Sequence, residues 1–305
     1  MNSERDDEAV RRAYWSEQME EAYGFMSQML AYPVEECGES LVSLPESVTA
    51  EGLTVEFAHT RIAGRYDHLF YLRKGLIRDF VAAARQMNAR GWTLKVEDGF
   101  RSKEMQRHIA LHANVLDIVL QKVIWEAHGQ IPTPELLFRR LAGLAATRPK
   151  IGTHMSGSAL DISVLWSEDL AEVERGGPYI EFSELTPMAS PFVPNEAARN
   201  RAEISAIMRR HGFMAYPYEF WHYSNGDAYA EYLAGLGNPA RYGPVDFDLA
   251  TGSITPILKA NESLHSMEDI KRHMALALGR LKSRGANPAR RNRDVRIEKG
   301  ELLRS

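Results

Sequence analysis

A single cysteine, Cys37, among 305 residues is the tightest constraint on this chain. It rules out an internal disulfide and any site built from several thiolates. Stability must then come from apolar burial, and any metal must be held mainly by histidine and carboxylate. With 44% hydrophobic and 26% charged residues, the chain has the make-up of one or two globular domains, not of a rod, a collagen or a disordered polymer. Its most apolar stretch, 109–120, is too short and too interrupted to cross a bilayer, so no membrane partner is expected. The first residues are acidic, with no basic segment leading into an apolar run. Together with the lone thiol, this points to the cytoplasm.

Charge divides the chain. The formal net charge is only -4, which lacks the basic excess of a dedicated nucleic-acid binder. Residues 1–56, however, carry 13 carboxylates against three arginines, and 280–305 carry nine basic residues against three acidic ones. We therefore expect an acidic helical N-terminal extension (1–56), a central domain (57–250), and a C-terminal extension (251–305) with a helix and a basic, solvated tail beyond about residue 285. The sequence sets no oligomeric state.

Hydrophobic spacing predicts a first helix over 7–30 and a second over 69–88, followed by Gly91 as a C-terminal punctuator. A strand is expected at 92–99, then one long helix capped by Ser102 and running to 125. Thr133 and Pro134 open a helix through 146. Strand patterns recur at 158–166 and over the aromatic run 213–224, on either side of a helix capped by Asn195 and ending at 211–212. The plan is α+β: a small antiparallel sheet flanked by helices.

Three segments carry chemistry. "GTHMSGSALDISV" places His154 and Asp161 seven apart around Gly157. "YEFWHYS" holds Glu219 and His222, which face opposite sides of a regular strand and reach one site only if the backbone turns between them. "VEDGFRSKE" sets Arg101 just after a strand. His154, Asp161 and His222 are three ligands that leave a fourth tetrahedral position open, as a catalytic zinc requires. Zinc lowers the pKa of a bound water to about 7, Glu219 is the natural general base, and Arg101 suits a developing oxyanion or a substrate carboxylate. His108 and His112 stand four apart on a predicted helix, but Ile109 occupies the position where a zincin helix needs glutamate, so they read as surface or packing residues.

"HMSGSALD" fits H-x-x-G-x-A-x-D, "EFWHY" fits E-x-W-H, and "EDGFRS" fits D-G-[YF]-R. In this order the three resemble the zinc D-alanyl-D-alanine dipeptidases of the vancomycin-resistance type and, more loosely, the related D-Ala-D-Ala carboxypeptidases, over about residues 69–230. The resemblance implies Zn2+ on His154, Asp161 and His222, with Glu219 as catalytic base and Arg101 stabilising the transition state. It also implies hydrolysis of a D-Ala-D-Ala or similar small peptide bond, a cell-wall-related reaction. Val193 stands after Phe192 where the family has the acidic residue that contacts the substrate amine. That departure admits another dipeptide, an N-blocked peptide or a small amide as substrate. The alternatives are a zinc D,D-carboxypeptidase or amidase, and a zinc-scaffold binding protein without turnover; retention of both Glu219 and Arg101 favours catalysis.

Overall fold

The structure, a computed structural model, describes residues 2–284; the basic tail expected beyond 285 lies outside the described residues. Its centre is a five-stranded sheet whose strands lie in the order 55–57, 92–98, 159–166, 222–224 and 214–215. Before it, β1 (Leu41–Ser43) pairs antiparallel with β3 (Tyr71–Arg73). Of the main sheet, β2 (Val55–Phe57) runs parallel to β4 (Trp92–Asp98), while β5 (Ala159–Trp166), β6 (Met214–Ala215) and β7 (His222–Ser224) are added antiparallel. The expected antiparallel sheet thus carries one parallel edge strand. A separate hairpin joins β8 (Val245–Phe247) and β9 (Ile254–Pro256).

Alternation sorts the sheet's two faces. Leu94, Val96, Leu160, Ile162, Val164 and Tyr223 enter a core with Phe80 and Met87 of α3 (Ile77–Ala89) and Ile204 and Met208 of α7 (Asn195–Arg210). The other face carries polar residues toward a second layer. That layer is built from α1 (Asn2–Ala31), α5 (Ala113–Glu126), α6 (Pro134–Ala145) and α9 (Met267–Ser283), which share a core around Trp15, Met19, Leu120 and Leu141. Short helices α2 (Leu44–Ala50), α4 (Lys103–Leu111) and α8 (Ala228–Ala234) complete the fold. The chemical site lies between the sheet's polar face and this helical layer.

Four expectations need correction. The helix predicted from 69 begins only at Ile77. Tyr71 and Leu72 instead pair with β1, and the buried guanidinium of Arg73 donates to Ser156 O, Glu39 O and Gly243 O and pairs with Glu36. The long helix from Ser102 breaks at His112, whose extended backbone (φ -62, ψ 140) ends α4 and starts α5. No glycine or proline marks that break; the second axis lets Leu116, Val119, Leu120 and Val123 pack on α6 and α9. Asn195 is the first helical residue, not the cap, because Pro194 supplies the extended entry. The aromatic run 213–224 is two short strands around a turn, the reversal that Glu219 and His222 require.

Candidate metal centre

Three adjacent strands contribute one row of side chains. In the ladders, Asp98 of β4 stands opposite Asp161 of β5, and Asp161 stands opposite His222 of β7. Strict alternation would put Asp98 on the apolar face with Leu94 and Val96. A bulge between Val96 and Asp98 turns it to the polar face instead. His154 arrives from a 3-10 turn over Thr153–Ser156 that ends at Gly157, where φ is +65°. A side chain at Gly157 would also meet Leu41 Cδ2 at 2.2 Å, so only glycine closes this turn.

The imidazoles are oriented by groups behind them. His154 Nδ1 lies 2.7 Å from Gly99 O, which can only accept, so Nδ1 donates there and Nε2 is the nitrogen turned toward the cleft. Nε2 faces Asp161 Oδ1 at 3.2 Å. A proton or a cation must lie between this nitrogen and the carboxylate oxygen, and the pair has the chemistry of metal ligands. His222 Nδ1 reaches the same oxygen at 3.0 Å, while its Nε2 is held by Thr153 Oγ1 at 2.9 Å. All three residues are buried and their ligand atoms lie within 4.8 Å of one another. Among the described residues they are the one group of three or more such side chains that could hold a metal. Two imidazole nitrogens and one carboxylate oxygen, each backed by an outer hydrogen bond, fit zinc.

Electrostatics set the charges. Burial opposes ionisation of Asp161, but the neighbouring His154 and His222 hold its carboxyl well below the usual range. Asp161 Oδ2 also accepts from Arg101 Nη2 at 3.1 Å and from Tyr179 Oη at 3.0 Å. Arg101 is pinned further by Asp98 Oδ2 at 2.6 Å and by Gln106 Oε1 at 3.3 Å. Burial works against its charge, yet Asp98 and Asp161 outweigh it and raise its pKa. In this arrangement the guanidinium is a bridge between two carboxylates at the edge of the cleft.

Glu219 sits in the turn between β6 and β7, tied at the backbone to Tyr216 O and, through its own carbonyl, to His222 N. Burial, then the field of Asp161, raises its pKa well above the ordinary value, with Arg101 opposing. A raised carboxyl pKa suits a group that would take and return a proton. All five residues singled out by sequence, His154, Asp161, His222, Glu219 and Arg101, line one cleft.

Sequence reading missed Asp98, Gln106 and Tyr179. Asp98 was legible as the first residue of D-G-F-R, whereas no local pattern marks the other two. Val193 is not among the cleft-lining residues; its side chain abuts Gly176, where an added Cβ would lie 2.4 Å from Val193 Cγ1. His108 and His112 have ring centroids 5.4 Å apart and belong to no metal-holding group among the described residues.

A family profile described as D-ala-D-ala dipeptidase matches residues 57–236. A D-alanyl-D-alanine dipeptidase of Synechocystis sp. is 27% identical over 229 residues, covering 65% of this chain and 86% of the relative. A second, from Enterococcus faecium, is 29% identical over 164 residues, covering 53% and 73%. Among solved structures, a mutant of the vancomycin-resistance D,D-pentapeptidase VanY in complex with Zn(II) aligns over 60% of this chain and 93% of its own, at 18% identity and a TM-score of 0.32.

Proposed function

We propose a function on one premise: the chain belongs to the D-Ala-D-Ala dipeptidase family and is a zinc metallopeptidase. The reaction is dipeptidase-like hydrolysis, and the substrate class we assign is a dipeptide or short peptide similar to D-Ala-D-Ala. The observation that carries this reading is the convergence of His154 Nε2 and His222 Nδ1 on Asp161 Oδ1, beside Glu219 in a single cleft.

In our assignment His154, Asp161 and His222 hold the ion. Zinc supplies Lewis acidity there, making water acidic enough to ionise near neutral pH. Everything else falls to the chain. Glu219, whose pKa burial raises, takes the proton from the attacking water and returns it to the leaving amine. Arg101, held by Asp98, presents fixed positive charge where negative charge grows on the scissile carbonyl. Tyr179, Thr153 and Gln106 fix the orientations of these groups rather than reacting. Trp221 and Phe182 wall the cleft and exclude water.

The three-part organisation expected from sequence belongs to the same proposal: residues 57–250 carry the reaction, while 1–56 and 251–305 support it. We place the enzyme in the cytoplasm, a setting suited to its free and exposed Cys37 and to a free dipeptide from cell-wall turnover. Among the described residues no helix is long and apolar enough to cross a membrane.

The test is release of D-alanine from D-Ala-D-Ala by the zinc-loaded protein, with Glu219→Ala as control. Zinc binding without cleavage of any dipeptide or capped peptide in a broad panel would favour the scaffold reading instead.

A further inference from the structure

We propose that α1, which lies wholly outside the family-matched residues, is a specificity element of the cleft, with Met26 as the wall residue that limits substrate size. This inference rests on the peptidase reading above. Met26 lines the same cleft as Glu219 and His222 and is 3% exposed. Its Sδ lies 2.7 Å from the Tyr229 hydroxyl, which in turn donates to Ile151 O at 2.6 Å. The rings of Tyr229 and Tyr216 stand 6.2 and 5.9 Å from the His222 imidazole. Met26 is therefore one layer of side chains from the metal ligands, although it is distant from all of them in sequence.

The wall is fixed in place. One turn before Met26, Ala22 meets Gly143 of α6 so closely that a Cβ on Gly143 would lie 3.1 Å from Ala22 Cβ. Glycine there lets the two helix backbones approach and drives the α1 face, with Met26 on it, toward the cleft. Glu20 pairs with Arg139 and Arg140 of α6, and Lys150 donates to Leu30 O at the far end of α1. Arg11 pairs with Glu184, and its guanidinium lies 4.5 Å over the Phe192 ring, which ties α1 to the segment that follows the cleft residue Phe182.

The cleft so closed is small, about 70 Å3, against roughly 300–1,000 Å3 for sites that take drug-sized ligands. On the helical side Met26, Ile109, Val115, Leu144 and Ile151 offer apolar contact, and among the described residues the carboxylates lining the cleft are Asp161 and Glu219. The substrate class that fits is a short peptide with small, uncharged side chains, and Met26 sets how large the side chain nearest α1 can be.

The experiment compares D-Ala-D-Ala with D-Ala-D-Leu and D-Leu-D-Ala. Met26→Ala should raise kcat/KM for one larger peptide, relative to D-Ala-D-Ala, by about tenfold or more, while the near-isosteric Met26→Leu keeps the wild-type ratio. Should Met26→Ala not fold, Met26→Val carries the same test with a smaller shift in the same direction. Unchanged ratios for both larger peptides would overturn the assignment. The same peptides are titrated calorimetrically against zinc-loaded Glu219→Gln protein with and without the Met26 change. If the wild-type enzyme cleaves nothing, the peptidase reading fails and binding alone decides Met26. Selective tightening for a larger peptide in the Met26→Ala background then supports the wall, and equal or absent binding overturns it.

Discussion

Asp161 and His222 are cross-strand partners in the β5–β7 ladder, and their side chains meet at 3.0 Å on the sheet's polar face. Directly opposed residues on neighbouring strands hold their side chains together without long, flexible reach. One carboxylate oxygen of Asp161 therefore serves both histidines, while the other is held by Arg101 and Tyr179.

Removing a ligand should remove the ion. His154→Ala and His222→Ala are expected to lose stoichiometric zinc together with activity, read by metal analysis of the purified proteins. Thr153→Val is a milder cut, since it deletes only the hydroxyl behind His222 Nε2. Its zinc affinity should fall by about 10–100-fold, the usual effect of losing an outer-shell partner. Unchanged affinity would mean that this hydroxyl does not set the ring's orientation.

Glu219→Ala should separate binding from turnover. The side chain is not in the ligand set, so zinc content should stay at one equivalent. The rate should drop by roughly 10²–10⁴-fold, the range for a lost general acid–base. Near wild-type kcat in this variant would assign the proton transfer to another group.

Arg101→Ala removes the bridge between two buried carboxylates, Asp98 and Asp161. Leaving buried charges without their counter-ion costs about 3–5 kcal/mol, so thermal unfolding should shift clearly downward as well as activity falling. Zinc, itself a counter-charge for Asp161, should recover part of the lost stability when added. A variant that loses activity with no change in unfolding would confine Arg101 to catalysis.

Val193→Asp is expected to leave the KM for a free dipeptide unchanged. The residue packs against Gly176 and is not among the residues that line the cleft. A marked fall in KM would show that the 190–193 segment moves toward the substrate.

Extraction of zinc with a chelator should abolish hydrolysis, and zinc should restore it. Without the ion, the buried Asp161 carboxylate and the two imidazoles around it lose the cation that would bind them together. The apoprotein should accordingly unfold at lower temperature than the loaded form, by the linkage between binding and stability.

Much of this protein was determined by sequence alone. Residue type and spacing put forward His154, Asp161, His222, Glu219 and Arg101 as candidates, the order of their three motifs and its resemblance to a known family suggested their roles, and the fold brings all five to one cleft. The turn between Glu219 and His222 was also legible, since period-two geometry forbids both from reaching one site along a straight strand. What only the tertiary structure decided lies in contacts between distant segments. The bulge that turns Asp98 toward Asp161, the break at His112, the strand at 71–73 and the placement of Met26 against the cleft leave no local pattern. Each depends on packing against residues tens to hundreds of positions away, where burial of apolar surface outweighs the weak local preferences that a sequence displays.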